Sequence, residues 1–522
     1  MAENSSTLSR HARGAPLAPS VVPALTIASH PLAGRAGERA LLTAVAVGRE
    51  ALLSRREPDF VRAGHALGAP LADPFLSRRP IHLSPAASGG VVLVPAGDGT
   101  RVAARGAPVY GPVTFGPEEV ERGVPIELED RVTLLLHHAP PEPFGITDML
   151  GMVGQSAGVC GVRQQIERIA DLHVPVLIRG ETGTGKELVA RAVHTRGPRR
   201  HKPFVSVNLG ALPRETAVAD LFGAQRGSYT GATRDREGLF RAAHGGTLFL
   251  DEIGEASPEV QVMLLRVLET GELYPMGADR PVAVDVRLLA ATDAHLEQHL
   301  RDGRFKAPLL HRLAGYEIHV PPLRERREDI GALFHHFARE ELSAMGEAHR
   351  LSPEDPRAAP WLPTPLAVRL LCHAWPGNIR QLHNITRRLV ISSRGEPQLK
   401  LDARLAEELD FVPPVVGRLV DVPPQASAPR RKPSEVSEAE LVAALAESKW
   451  DLKAAADRLG IPRPSIYDLI DRSPSIRTAG DLSAEEITGA HHAYQGDLDA
   501  MAQHLKVSKR ALTRRLKELK LG

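Results

Sequence analysis

The chain has 522 residues, 43% of them hydrophobic and 25% charged, with a formal net charge of +2. That length suits roughly three to four domains, and so even a charge balance confines any nucleic-acid surface to a local patch. The two cysteines, Cys160 and Cys372, share no CxxC spacing and exclude a disulfide framework; no apolar run approaches the ~18–20 residues of a membrane span; and Pro23 breaks the one short apolar stretch near the N-terminus, so no signal peptide is expected and the predicted location is cytoplasmic, without membrane contact.

Residues 1–23 open with a Ser-, Ala-, Gly- and Pro-rich tail with little to bury, predicted to be disordered. From 24 to 138 the pattern is β-like. Val91–Val94 is a short apolar run, Gly97-Asp98-Gly99 a turn, and Thr100–Ala104 a resumed strand. Val124, Ile126, Leu128, Val132, Leu134 and Leu136 nearly alternate around the charged turn Glu129-Asp130-Arg131, which predicts a hairpin at the end of a small β-sandwich. Residues 139–148 read as a proline-containing linker. From 149 to 325 short apolar strands alternate with helical patterns, as in an α/β domain with a parallel sheet, and a helical subdomain follows over 326–411. Six prolines among Ser, Ala and basic residues make 412–436 a flexible linker. The all-α segment 437–522 repeats itself at an offset of 46, with Leu459 recurring as Leu505, Ile466 as Leu512 and Ile470 as Leu516.

Chemistry is most legible after the apolar strand Val174–Ile178. There Gly180-Glu181-Thr182-Gly183-Thr184-Gly185-Lys186-Glu187 forms a GxxxxGK loop ahead of a helical pattern. Its glycines let backbone N–H groups close on phosphate oxygens, the helix N-terminus adds positive potential, and Lys186 reaches the β- and γ-phosphates. Glu187 stands where many such loops place a magnesium-binding Ser or Thr. Gly246-Thr247-Leu248-Phe249-Leu250-Asp251-Glu252 is a buried strand ending in two carboxylates. Asp251 suits magnesium, and Glu252 suits polarising an attacking water. The predicted cofactors are ATP and Mg2+.

Three further segments carry a resemblance: Gly227-Ser228-Tyr229-Thr230-Gly231-Ala232, Pro321–Ile330 (PPLRERREDI) and Trp375–Arg380 (WPGNIR). With the phosphate loop, they resemble the AAA+ domain of sigma-54-dependent transcriptional activators, the bacterial enhancer-binding proteins, over about 150–410. The family's loop normally reads GAFTGA and contacts sigma-54. Tyr229 keeps an aromatic ring and Thr230 is intact, and an aromatic between glycines suits a partner surface. By the same resemblance Asn208 is a switch that restrains the catalytic glutamate, Thr292-Asp293 a nucleotide sensor with Asp in place of the usual Asn, and Arg380 a second sensor. The arginine-finger segment departs from the family's FRxDLxxRL. It reads Phe305-Lys306-Ala307-Pro308-Leu309-Leu310-His311-Arg312-Leu313, so Arg312 survives while Lys306 and Pro308 replace an Arg and an Asp. Lys keeps the charge but loses the planar fork. Fingers act in trans, so the resemblance implies a homo-oligomer, a hexamer when active.

The N-terminal sandwich resembles a forkhead-associated (FHA) domain, on Gly48-Arg49, Leu76-Ser77-Arg78-Arg79 and the turn Asp98-Gly99-Thr100. Pro80 and Asp98 stand where that family has His and Asn. Arg49, Ser77, Arg78 and Thr100 are its candidate phosphothreonine-peptide residues, and a phosphorylated protein or Ser/Thr kinase is the implied partner. The C-terminal repeat looks like tandem Fis-type helix-turn-helix units. Lys506–Gly522 is strongly basic, so Ser508, Lys509, Arg510, Thr513, Arg514, Arg515 and Lys517 are expected at double-stranded DNA. His295 and His299 are spaced i, i+4, but the acid between them is Glu297 rather than a Glu directly after the first His, so they do not form a zinc-protease motif. The expected function is an ATPase that activates transcription by remodelling sigma-54 RNA polymerase holoenzyme from an upstream site, gated by the FHA-like domain. The alternative is a DNA-bound regulator that binds ATP without hydrolysing it. An AAA+ unfoldase or helicase loader would leave Gly227–Ala232 and the helix-turn-helix unexplained.

Overall fold

The computed structural model describes residues 21–410 except 88, 142–147, 229–233, 294, 354 and 356, then 437–448, 482–494 and isolated positions up to 516. It forms two units, Met1–Pro414 and Val415–Gly522.

Ten strands open the first unit: β1 (Val22–Ser29), β2 (Arg39–Leu41), β3 (Ala51–Leu53), β4 (Ile81–Pro85), β5 (Val91–Val94), β6 (Val102–Ala104), β7 (Ala107–Val109), β8 (Val113–Phe115), β9 (Val124–Leu128) and β10 (Val132–Ala139). They pair antiparallel into two sheets, ordered β2-β1-β10-β9-β6-β7 and β3-β4-β5-β8. Leu25, Ile27, Leu83, Leu93, Phe115, Ile126 and Leu134, drawn from both sheets, lie in one apolar core. Short helices α1 (Thr43–Ala46) and α2 (Pro117–Arg122) lie in the connections β2–β3 and β8–β9. The expected β9–β10 hairpin is present, with Glu129 and Asp130 left-handed at φ 51° and 52°. Arg131 does not stay on the turn's surface: it is only 8% exposed.

The α/β portion runs α3 (Ala157–Ile169), β11 (Val176–Arg179), α4 (Lys186–Arg196), β12 (Phe204–Asn208), α5 (Ala217–Phe222), α6 (Leu239–Ala242), β13 (Thr247–Asp251), α7 (Pro258–Thr270), hairpin strands β14 (Glu272–Leu273) and β15 (Val282–Ala283), β16 (Arg287–Thr292), α8 (Leu296–Arg301), α9 (Ala307–Leu313) and β17 (Tyr316–His319). Five strands form a parallel sheet ordered β12-β13-β16-β11-β17. Both faces are covered, so the central strands β11, β13 and β16 carry buried apolar runs rather than an alternation; Leu177, Leu248 and Leu250 pack to one side and Ile178, Phe249 and Leu289 to the other. Helix ends follow capping chemistry. Before α7, Ser257 accepts from the Val260 N–H at 3.4 Å and Pro258 takes the first turn, while Gly271 closes the helix at φ 70°.

The helical portion holds α10 (Ile330–Ala344), α11 (Thr364–Cys372), α12 (Asn378–Ser392) and α13 (Ala403–Asp410), packed through Phe334, Leu370, Trp375, Leu382 and Leu389. Ala28, Ala33 and Leu135 of the β region belong to this same core, so the β region is docked on the helical lid.

In the second unit, α14 (Glu438–Glu447) and α15 (Ala484–Ala493) begin two equivalent clusters. Leu441, Ala444, Ala455 and Ile466 pack together in one, and Ile487, Ala490, Met501 and Leu512 in the other, each pair separated by the sequence offset of 46. The tail 1–20, most of the linker 139–148 and all of 412–436 lie outside the described residues.

Candidate active site

The phosphate loop sits at the carboxyl ends of β11 and β16, where the strand order reverses, the usual ligand crevice of an open parallel sheet. Gly180 N–H donates to Thr292 O at 3.2 Å, which fixes the loop beside the sensor strand. Gly183 and Gly185 are left-handed, at φ 79° and 98°, and α4 starts at Lys186. Lys186 Nζ donates to the Gly180 and Glu181 carbonyls at 2.8 and 3.2 Å, turned inward over the space where phosphate oxygens would lie. Burial lowers its affinity for the proton, opposed by the nearby Asp293, Asp251 and Glu252 carboxylates. Thr184 is 2% exposed and braces the loop through Oγ1 to Glu181 O at 2.7 Å.

Asp251 ends β13, and burial pushes its carboxyl above the ordinary range while Lys186 opposes the shift. Its Oδ1 accepts from the Glu252 N–H at 3.0 Å. Glu252 has φ 54° and ψ 46°, a strained backbone for a non-glycine residue. Asn208 shares this corner: a Cβ added to Gly210 would meet Glu252 Oε2 at 2.3 Å and Asn208 Oδ1 at 3.3 Å. Asn208 itself caps a short helical turn, accepting from Ala211 N–H at 3.2 Å. Asp293 accepts a short hydrogen bond from Thr182 Oγ1. Arg380 N–H donates to Gly183 O at 3.3 Å, which places α12 on the loop. Glu187 turns away to solvent and pairs with Arg191 at 2.7 Å, leaving Asp251 as the carboxylate suited to a magnesium ion.

The finger residues are not gathered at this loop. Lys306 caps α9 and its N–H donates to Gln261 Oε1 at 2.9 Å, while Arg312, 58% exposed in its side chain, lies 3.7 Å from Glu269. Neither touches the phosphate loop of its own chain among the described residues. Ser228 lies beside Gly277 at the foot of the glycine-flanked loop, which is tied by bridges from Ala224 to Arg236 and Met276. Tyr229, Thr230, Gly231 and Ala232 lie outside the described residues.

Sequence reasoning missed the lid's grip on the phosphate loop. Arg324 holds Glu181 through both terminal nitrogens, at 2.7 and 2.6 Å. Asn378, left-handed at φ 51°, donates to Glu181 Oε2 and Thr182 O, both at 3.1 Å. Arg326, 3% exposed, donates to Thr184 O at 3.3 Å. These residues lie inside PPLRERREDI and WPGNIR, which mark the two segments but not the loop residue they meet. A largely apolar pocket lined by Val153, Leu188, Phe337 and Ile379 adjoins the loop and was not foreseen either; its lining is of the kind that packs against a planar base.

In the β region, Ser77 N–H donates to Thr100 Oγ1 at 2.9 Å, and Arg79 pairs with Asp98. Arg49 and Arg78 are exposed. Of the predicted DNA residues only Arg515 lies among the described ones; Ser508, Lys509, Arg510, Thr513, Arg514 and Lys517 do not.

Residues 152–319 match the sigma-54 interaction domain, 324–409 the AAA+ ATPase lid domain, and 432–468 the bacterial regulatory protein Fis family. The last match covers the first helical repeat, whereas the basic residues cluster in the second. The chain is 45% identical over 252 residues to the DNA-binding transcriptional regulator NtrC of Salmonella typhimurium, covering 48% of this chain and 51% of that protein. It is 34% identical over 420 residues to NtrC of Azospirillum brasilense, covering 80% and 79%, and 39% identical over 331 residues to the transcriptional regulatory protein ZraR of Escherichia coli K12, covering 63% and 70%. The chain thus spans about half the length of several of the curated relatives it matches. No helix among the described residues is long and apolar enough to cross a membrane.

Proposed function

Because the chain belongs to the NtrC-like family of sigma-54 transcriptional regulators, we propose that it is an ATP-driven activator that remodels sigma-54 RNA polymerase holoenzyme from an upstream DNA site. The observation that carries this reading is the placement of Lys186, Asp251 and strained Glu252 around one glycine loop, inside a segment that matches the sigma-54 interaction domain.

Lys186 and the loop N–H groups bind the β- and γ-phosphates, and Arg380 adds a cation from the lid. Asp251 would hold a magnesium ion, whose charge would offset that of the phosphates. Glu252 orients and polarises the attacking water, and Asn208, beside it, restrains that carboxylate until nucleotide is in place. Thr292 and Asp293 read the γ-phosphate from the neighbouring strand. Arg312, with Lys306, reaches the nucleotide of an adjacent copy, which calls for a ring, most simply a hexamer. The Gly227–Ala232 loop carries the result to sigma-54. The Fis-type repeats tether the protein to DNA, with Lys509, Arg510, Arg514, Arg515 and Lys517 toward the phosphates and bases. The protein works in the cytoplasm.

The order of the two N-terminal sheets and the Ser77–Thr100 contact support an FHA-like phosphopeptide domain, with Arg49 and Arg78 as hydrogen-bond donors to the phosphate. Its ligand is a phosphothreonine protein.

Steady-state ATP hydrolysis measured against protein concentration tests the central claim. Activity per molecule should rise with concentration in the native chain and vanish in Glu252→Ala. Bound ATP without turnover at any concentration would favour the non-hydrolysing regulator, for which Lys306, Pro308 and Asp293 speak.

A further inference from the structure

The β region touches both sides of the nucleotide-site hinge. On the α/β side, Arg39 of β2 donates to Gln155 O at 3.4 Å. On the lid side, Arg131 is held by Asp73 at 3.0 Å and donates onward to the Arg357 and Ala358 carbonyls at 3.3 and 2.9 Å. Ser29 Oγ donates to Leu362 O at 3.2 Å. The backbones of β1 and α10 are in direct apposition: a Cβ on Gly331 would stand 2.4 Å from Ala28 O and 2.7 Å from Ala28 Cα. Between these anchors lies the stretch 323–331, which also grips the nucleotide site. Arg324 holds Glu181, Arg326 holds Thr184 O, and Asp329, 2% exposed, accepts from Gln155 N–H and from Ser156 N–H and Oγ at 2.6, 3.0 and 2.6 Å. The β region also reaches this stretch directly, as Arg327 donates to Arg122 O at 3.3 Å.

We propose that the N-terminal β domain is a strap across this hinge: docked, it holds the lid on the phosphate loop and slows nucleotide exchange, and undocked, it lets the lid swing free. The inference rests on the nucleotide-binding reading above. The lid cannot leave the phosphate loop without moving the stretch 323–331. A body fixed at once to Gln155 on one side and to Gly331, Ala358 and Leu362 on the other resists that movement. A partner that engages the β domain and weakens its hold on the lid would then raise exchange without touching the nucleotide.

Gly331→Ala is the sharpest probe. Alanine favours the helix that contains position 331, so the lid is not weakened, yet the methyl group collides with β1. The full chain, Gly331→Ala and Arg131→Ala are compared by the dissociation rate of the fluorescent nucleotide mant-ADP. Hydrogen exchange over 24–29 and 357–362 reports undocking. The expected result is faster exchange of both peptides in both variants and mant-ADP release faster by about five-fold or more. Faster hydrogen exchange with mant-ADP release within about two-fold of native overturns the strap, as does unaltered hydrogen exchange in both variants. Absence of mant-ADP binding to the native chain removes the nucleotide reading and the strap together, which sets that failure apart from the others.

Discussion

Arg324 of the lid grips Glu181 of the phosphate loop through two parallel hydrogen bonds, 2.7 and 2.6 Å long. Both side chains are partly exposed, 36% and 42%, so the pair adds little to global stability, ~1 kcal/mol at most. Its effect lies in the site. Glu181 is a carboxylate beside the place of a polyphosphate, and Arg324 cancels its charge.

Arg324→Ala should therefore leave the melting temperature nearly unchanged while weakening ATP binding by about ten-fold, ~1.4 kcal/mol. Adding Glu181→Gln should recover much of the loss, because the repulsive charge goes with it. Equilibrium titration with a fluorescent ATP analogue measures both. A double variant as weak as Arg324→Ala would show that the arginine acts on the lid rather than on charge.

The finger segment allows a prediction in both directions. Arg312 is exposed and pairs only loosely with Glu269, at 3.7 Å, so it is free to serve a neighbour. Arg312→Ala should retain ATP binding and lose turnover by ~10³-fold or more. Lys306→Arg, which restores the planar fork, should raise turnover. If Arg312 acts in trans, equal amounts of Arg312→Ala and Glu252→Ala, each inactive alone, should recover part of the activity when mixed, since the two defects would then fall on opposite sides of a subunit boundary. No recovery on mixing would count against fingers supplied in trans.

His335 is 4% exposed, and neither ring nitrogen has a hydrogen-bond partner. Burial, aided by Arg339, lowers its pKa from 6.5 to about 4. The unfolded chain takes up a proton near pH 6.5 that the folded chain refuses, so the stabilising effect is complete above that pH. It is lost as pH falls toward 4, at about 1.4 kcal/mol per pH unit. His335→Leu should remove this loss and, by clearing two unpaired buried groups, stabilise the chain at pH 7 by ~1–3 kcal/mol. Thermal melts at pH 7 and pH 5 check both parts; an unchanged slope with pH would assign the acid sensitivity to other groups, His30 and His137 first, whose pKa values burial lowers to about 4 and about 3.

What was legible in the sequence was contiguous. Lys186, Asp251 and Glu252 sit in short runs whose chemistry depends on near neighbours. The C-terminal repeat was legible because equal spacing produces equal cores, with Ile466 and Leu512 both fully buried. Pairings across long separations were not. Arg324 and Asn378 meet Glu181 across 143 and 197 residues, and nothing in either segment names its partner. Arg131 is the sharpest example. Beside Glu129 and Asp130 it looks like turn polarity, yet it is buried because Asp73, 58 residues earlier, neutralises it and the lid offers carbonyls. A docking seam is a match between two surfaces, and periodicity reports only one surface at a time.

The two C-terminal cores separate structure from DNA reading. The Fis-family match covers 432–468, the first repeat, while the basic run lies in the second. Leu512 and Ile466 are equivalent core positions, each 0% exposed. A charge placed at either should unfold only its own cluster, because burying an unpaired carboxylate costs several kcal/mol. If the second repeat supplies the phosphate contacts, Leu512→Asp should abolish upstream DNA binding, and the salt dependence of the residual affinity should flatten as Lys and Arg contacts are lost. Ile466→Asp should then weaken binding less and keep the native salt slope. Gel-shift titrations at several salt concentrations distinguish the cases. The reverse ranking would move base reading to the first repeat and leave Lys509, Arg510 and Arg514 as a solvated face.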